Sequence, residues 1–182
     1  MKKFLGIIGT LLLMTGCSLG ADMENTPTKK VEAMLSKYQT LDSNVLTELD
    51  SVVDEEVLFD DEQRNEYKEI MKKHYQDLTY EIKDETIDGD SAVVTVEIEV
   101  NDYSKVMANA DQYLEDNREE FYNEENEYDE GLFTKYRLDQ LKSNNERVKY
   151  TLELTLNKVD GEWKLNELSE SDRSKINGMY ES

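Results

Sequence analysis

The chain is poor in the residues that staple a fold, bind metals or break secondary structure. Its 182 residues hold one cysteine, one proline, one histidine and one tryptophan, with eight scattered glycines. A lone cysteine, Cys17, has no partner within the chain, so the domain carries no intrachain disulfide. One His and one Cys are too few for a structural zinc site. The glycines form neither a phosphate-cradling loop nor a dinucleotide fingerprint, and no Gly-x-Ser-x-Gly element occurs. Positive charge is also scarce: 21 Lys and Arg stand against 42 Asp and Glu, a formal charge of −21. Such a surface repels phosphates and anionic headgroups, which disfavours nucleic acid and a membrane surface as partners. The longest apolar run, Phe4–Met14, falls well short of the roughly 20 residues that span a bilayer.

What is present begins at that run. Met1–Lys2–Lys3, then Phe4–Met14, then the small residues Thr15–Gly16 before Cys17, have the layout of a secretory signal. Thr15–Gly16–Cys17 resembles the lipobox of bacterial lipoproteins, with Met14 where Leu is usual. The resemblance implies a diacylglyceryl group on Cys17, cleavage before it, and a mature chain of 166 residues. Loss of Lys2 and Lys3 takes the formal charge from −21 to −23. With no basic face, the expected membrane attachment is the lipid on Cys17 alone, and two acyl chains suffice for that. The expected organisation is a signal over 1–16, a lipidated tether over 17–25, and one domain over 26–182.

Thr26–Pro27 opens a helix, because Thr caps well and Pro is tolerated at the first helical position. Val31, Met34, Leu35 and Tyr38 follow on one face. Val45, Leu46, Leu49, Val52 and Val53 predict a second helix after Asp42–Ser43. Asp60 with Gln63 forms a capping-box pattern before a third helix bearing Tyr67, Ile70, Met71, His74, Tyr75 and Leu78. A strand starts at Tyr80–Ile82, and Asp88–Gly89 predicts a hairpin turn. Ala92, Val94, Val96, Ile98 and Val100 alternate with polar neighbours, as do Val148, Tyr150, Leu152, Leu154 and Leu156. Asp160–Gly161 turns into a strand with Trp163 and Leu165, and Ser171 or Asp172 is positioned to cap a last helix. Between the strands lies an insertion over 103–146. Val106, Ala110, Tyr113 and Leu114 mark one helix. Gly131 precedes another, with Leu132, Phe133, Tyr136, Leu138 and Leu141. The segment between them is dense in acids from Glu115 to Glu130, which predicts a helical hairpin with an acidic tip.

Three helices followed by antiparallel strands give an α+β domain: N-terminal helices on a curved antiparallel sheet of about four strands. The Thr26–Pro27 helix and Val159–Asp160–Gly161–Glu162–Trp163–Lys164–Leu165 resemble the NTF2-like, cystatin-like lipoprotein domains of Gram-positive bacteria. In these an Asp-Gly-x-Trp-Lys hairpin closes a curved sheet around helices. The resemblance covers Thr26–Asn101 and Arg147–Leu168. The insertion over 103–146 departs from that pattern, and no residue's role carries over from the family.

His74 sits on an apolar, aromatic stripe and reads as a packed side chain more readily than as a general base. The acidic segment lacks the ligand spacing of an EF-hand, since Tyr128 takes a ligand place, which leaves only loose cation binding over 115–130. Tyr67, Tyr75, Tyr80 and Tyr150 lie on apolar stripes and are expected in the core. Tyr113, Phe121, Tyr122, Tyr128 and Tyr136 of the insertion are the candidate contact surface, because aromatic side chains bring large area at low entropic cost. No cofactor and no catalytic residue is expected. The sequence points to a cell-surface lipoprotein that binds a partner, with a cationic peptide or protein as the matching ligand. The alternative is a small-ligand carrier or enzyme using an NTF2-like pocket.

Overall fold

The computed structural model describes residues 25–55 and 59–181. Helix α1 (Pro27–Gln39) begins where expected: the Thr26 hydroxyl accepts from Lys29 N at 3.2 Å, and Pro27 occupies the first turn. Leu41 turns the chain with a positive φ of 54°, and the Asp42 carboxylate accepts from Asn44 N at 3.0 Å as α2 (Ser43–Glu55) starts. Helix α3 (Asp61–Gln76) carries the full capping box: Asp60 accepts from Gln63 N at 2.8 Å and Gln63 accepts from Asp60 N at 3.1 Å. An N-cap of this kind is worth about 1 kcal/mol.

Strands β1 (Thr79–Asp88), β2 (Ser91–Asn101), β3 (Arg147–Val159) and β4 (Glu162–Leu165) form one antiparallel sheet in chain order. The first hairpin loop is Gly89–Asp90, one residue later than the Asp88–Gly89 dipeptide suggested, because Asp88 still pairs with Ser91. Positive φ at Gly89 alone fits a type II′ turn, whereas Asp160 and Gly161 are both positive, as a type I′ turn requires. Alternation sets the two faces. Val94, Val96, Ile98 and Val100 are fully buried, with Leu152, Leu154 and Leu156 beside them. Thr95, Glu97, Thr151, Glu153 and Thr155 form the polar outer face. Lys149 and Lys83 there share Glu97.

The helices cover the inner face with Val31 and Leu35 of α1, Val53 of α2, and Ile70, Met71 and Tyr75 of α3. Each such side chain contributes roughly 1.5–3 kcal/mol on burial. The final helix, α6 (Glu170–Ile176), is capped by Ser169, whose hydroxyl accepts from Asp172 N at 3.1 Å. The cap is thus two residues before Ser171, because Ser169 and Asp172 stand at the capping-box spacing. Helix α6 ends in a Schellman motif: Gly178 N donates to Lys175 O and Met179 N to Ser174 O. Only glycine fits at 178. Its φ is +69°, and an added Cβ would collide with the Asn101 carbonyl oxygen and lie 2.9 Å from His74 Cε1.

The insertion is the expected hairpin, formed by α4 (Tyr103–Asp116) and α5 (Glu130–Ser143). Gly131 lies inside α5 rather than before it. Asp129 is the cap, because its carboxylate accepts from Gly131 N at 2.8 Å and Leu132 N at 3.3 Å. The acidic tip is folded: a short 3₁₀ turn (Arg118–Phe121) leads into a Tyr122–Tyr128 bridge. Among the described residues no helix is long and apolar enough to cross a membrane.

Candidate functional site

A cleft of about 760 Å³ lies between α3 and the base of the insertion, within the size range of ligand sites. One wall is a single face of α3, where Glu62, Asn65, Glu66, Glu69 and Lys73 recur at helical spacing, with Asp77 just beyond. The other wall comes from the end of α5 and the loop after it: Leu141, Lys142, Asn144 and Asn145, with Arg147 at the start of β3. Ile70, Asn101 and Tyr103 complete it. Lys142 reaches across to Glu66 at 2.8 Å, and Lys73 pairs with Asp77 along the helix. Arg147 is held by the backbone oxygens of Asp77 (2.9 Å) and Glu99 (2.7 Å), which fixes the corner where α3, β2 and β3 meet.

Burial pushes the Tyr103 phenol up to about 12, so it stays protonated and acts as a hydrogen-bonding group. Its hydroxyl accepts from Asn101 Nδ2 at 3.4 Å, and its ring stacks on His74 at 4.8 Å between centroids. His74 lies behind this wall, fully buried. Its Nε2 is 2.8 Å from Ile176 O; a carbonyl only accepts, so Nε2 carries the proton. Burial lowers the imidazole from 6.5 to about 4. The sequence-based reading of His74 as a packed, hydrogen-bonded side chain matches this placement.

The five aromatics expected to form a contact surface, Tyr113, Phe121, Tyr122, Tyr128 and Tyr136, lie elsewhere, and none of them lines the cleft. Phe121 is 4 % exposed and forms a small core with Ala110 and Phe133, so it presents no surface, contrary to its place in the expected contact set. Tyr113, Tyr128 and Tyr136 are half-buried against that core, with Tyr113 and Tyr136 stacked at 4.9 Å. Tyr122 is half-buried in the bridge to Tyr128. What remains outermost is carboxylate: Glu115, Asp116, Glu119, Glu120, Glu124, Glu125 and Glu127 are all exposed. Among the described residues no group of three His, Cys, Asp or Glu is placed to hold a metal ion. Cys17 lies outside the described residues. Of the expected core tyrosines, Tyr75 is buried, while Tyr67, Tyr80 and Tyr150 pack partly exposed against the core.

Sequence reasoning missed the cleft because its walls lie far apart in the chain. The available signal was the Asn144–Asn145 pair, polar and unpatterned at the point where the insertion rejoins the sheet.

No family model matches the chain, and no curated protein is similar to it. Among solved structures, the chain is similar to a candidate lipoprotein, ycdA, of Bacillus subtilis subsp. subtilis strain 168. The identity is 16 % and the TM-score 0.44; the match covers 75 % of this chain and 45 % of that one, so this chain spans less than half the length of its structural relative.

Proposed function

We propose that this chain is a lipid-anchored binding protein on the extracytoplasmic face of the cell membrane, without catalytic activity, that captures a cationic peptide or the basic segment of a protein. Anchoring rests on Thr15–Gly16–Cys17 and a diacylated Cys17. The cell is read as Gram-positive. The helices followed by a four-stranded meander, closed by Asp160–Gly161–Glu162–Trp163–Lys164–Leu165, support reading the domain as NTF2-like and cystatin-like. The observation that carries the ligand reading is the acidic wall of the cleft. Glu62, Glu66 and Glu69 share one face of α3, opposite the amides of Asn144 and Asn145. Carboxylates suit Lys and Arg side chains, while the amides of Asn144 and Asn145 hold their own loop, Asn144 through Glu146 N and O and Asn145 through Ser143 O. The −21 charge of the whole chain steers cations toward it.

The test is fluorescence anisotropy of a labelled Lys/Arg-rich decapeptide with the full chain. Binding should weaken as salt rises. The double variant Glu62→Gln/Glu69→Gln should lose about tenfold in affinity, as two partly screened ion pairs imply. Affinity unchanged by both salt and the double variant would exclude the reading. Replacement of 104–145 by a short linker gives a second check: a folded domain that still binds the peptide would show that the insertion makes no contact.

A further inference from the structure

We propose that Glu66 is a lysine subsite of the cleft and that Lys142 is its resident occupant, a tethered competitor that an incoming peptide displaces. This rests on the reading of the cleft as a site for cationic peptides, and it names the side chain selected there and the group that opposes its entry.

The carboxylates of the cleft differ in where their cations come from. Lys73 pairs with Asp77 four residues on, and Lys72 pairs with Glu69 three residues back. Such pairs form along a helix as the helix itself forms. Glu66 is different. Its cation is Lys142 Nζ at 2.8 Å, which comes from the opposite wall, 76 positions away in the chain. That ammonium stands between the walls, in the place a ligand's cation has to take to reach Glu66. Glu66 is also the most sheltered of these three carboxylates: its side chain is 21 % exposed, against 40 % for Asp77 and 73 % for Glu69. A carboxylate with less water around it interacts more strongly with a cation.

The resident group also defines the ligand. Glu66 accepts from an ammonium on an unbranched stem through one oxygen, Oε1, which is the contact a lysine side chain makes. The Lys142 side chain is 66 % exposed, so it can swing into solvent and regain rotamer freedom when displaced. An incoming cation gains only the difference between its own pairing and the pair it breaks, and apparent affinity falls by the fraction of time Glu66 is occupied. A single alkylammonium ion exchanges one such pair for another and gains nothing. A peptide that also reaches Glu62 and Glu69 on the same wall gains contacts that Lys142 does not make. The pair therefore filters out lone amines in favour of ligands with several lysines.

The experiment is an anisotropy titration of the full chain with a labelled Lys-rich decapeptide. Lys142→Gln should tighten binding about threefold, as expected when an exposed ion pair no longer competes. Lys135→Gln removes the same charge from α5, but this lysine pairs with Asp139 outside the cleft, and affinity should not change. In a Glu66→Gln background, Lys142→Gln should have no effect, because Lys142 then blocks nothing. Displacement itself is read by NMR of ¹³Cε-labelled lysine. The Lys142 signal, identified by its loss in Lys142→Gln, should move on saturation with peptide to its position in Glu66→Gln. Four results would each overturn displacement while leaving peptide capture in place: no tightening in Lys142→Gln, equal tightening in Lys135→Gln, the same tightening in the Glu66→Gln background, or an unmoved Lys142 signal. No binding by either the parent chain or Lys142→Gln would overturn the capture reading and this one with it.

Discussion

The main core and the core of the insertion use different side chains for the same task. Between sheet and helices the buried groups are mostly aliphatic: Val94, Val96, Ile98, Leu152, Leu154 and Leu156 meet Val31, Leu35, Ile70 and Met71. In the insertion, burial rests on Ala110, Phe121 and Phe133, ringed by Tyr113, Leu114, Tyr128 and Tyr136. A sheet presents many evenly spaced positions, so small branched side chains interdigitate and their dispersion contacts add up. Two helices and a short loop offer few positions, and each must cover more area. Aromatic rings do that, and their edge-to-face contacts add further attraction. The tyrosines also reconcile that small core with its acidic coat: the Tyr113 hydroxyl donates to Glu120 at 2.9 Å. The two cores are joined rather than independent. Helix α5 places Phe133 in one and Leu138 and Leu141 in the other.

The largest expected effect breaks the main core. Gly178→Ala forces a Cβ onto the Asn101 carbonyl and against His74. It should cost roughly 4 kcal/mol or more by chemical denaturation, with the whole domain affected. Phe133→Ala should cost roughly 3 kcal/mol, yet confine the damage. Amide exchange should quicken across α4 and α5 while β2 and β3 stay protected; loss of protection throughout would show one core, not two.

The next prediction separates the cores by pH. His74 belongs to the main core alone and is held neutral, its value lowered to about 4 by burial, with the Ile176 hydrogen bond opposing that shift. The unfolded chain takes up this proton first, so the contribution of His74 is complete above about pH 6.5 and is lost as pH falls toward 4, by about 3 kcal/mol in all. His74→Gln keeps a donor for Ile176 O and should flatten that slope in urea denaturation between pH 6.5 and 4. The smallest effect is where α3 of the main core touches the start of the insertion's second helix. Asp60→Ala removes one half of the capping box and should cost about 1 kcal/mol. Because Gln63 also donates to Gly131 O at 3.1 Å, exchange should quicken in α3 and at the start of α5 together.

Sequence patterns carried much of the fold because the informative signals were local. The alternation in β2 and β3, the Thr26–Pro27 start and the Asp60–Gln63 box each depend on residues a few positions apart, and each is present as read. Ser169 shows the limit. It and Ser171 are both good caps, and the choice fell to the residue with Asp172 three positions on. Phe121 shows another. Set among Glu119, Glu120 and Glu124 it reads as surface, and only the return of Phe133 from the other arm of the hairpin makes its site an interior. The cleft was least legible of all. Glu66 and Lys142 are far apart in the chain and both look like solvated surface charges, and no local pattern brings them together.

The point of entry of the insertion also bears on the order in which the chain folds. Asn101 and Arg147 are direct partners across β2 and β3, and Asp102 N donates to Glu146 O at 3.0 Å. The longest strand pairing in the sheet therefore has to close over residues 102–146, about 45 residues, where a tight hairpin closes over two. As loose chain that closure would cost roughly 3 kcal/mol more. A helical hairpin formed first holds its own ends side by side and converts the distant pairing into a near one. The aromatic core of the insertion would then act as a clasp, and slower refolding of Phe133→Ala in stopped-flow would show it.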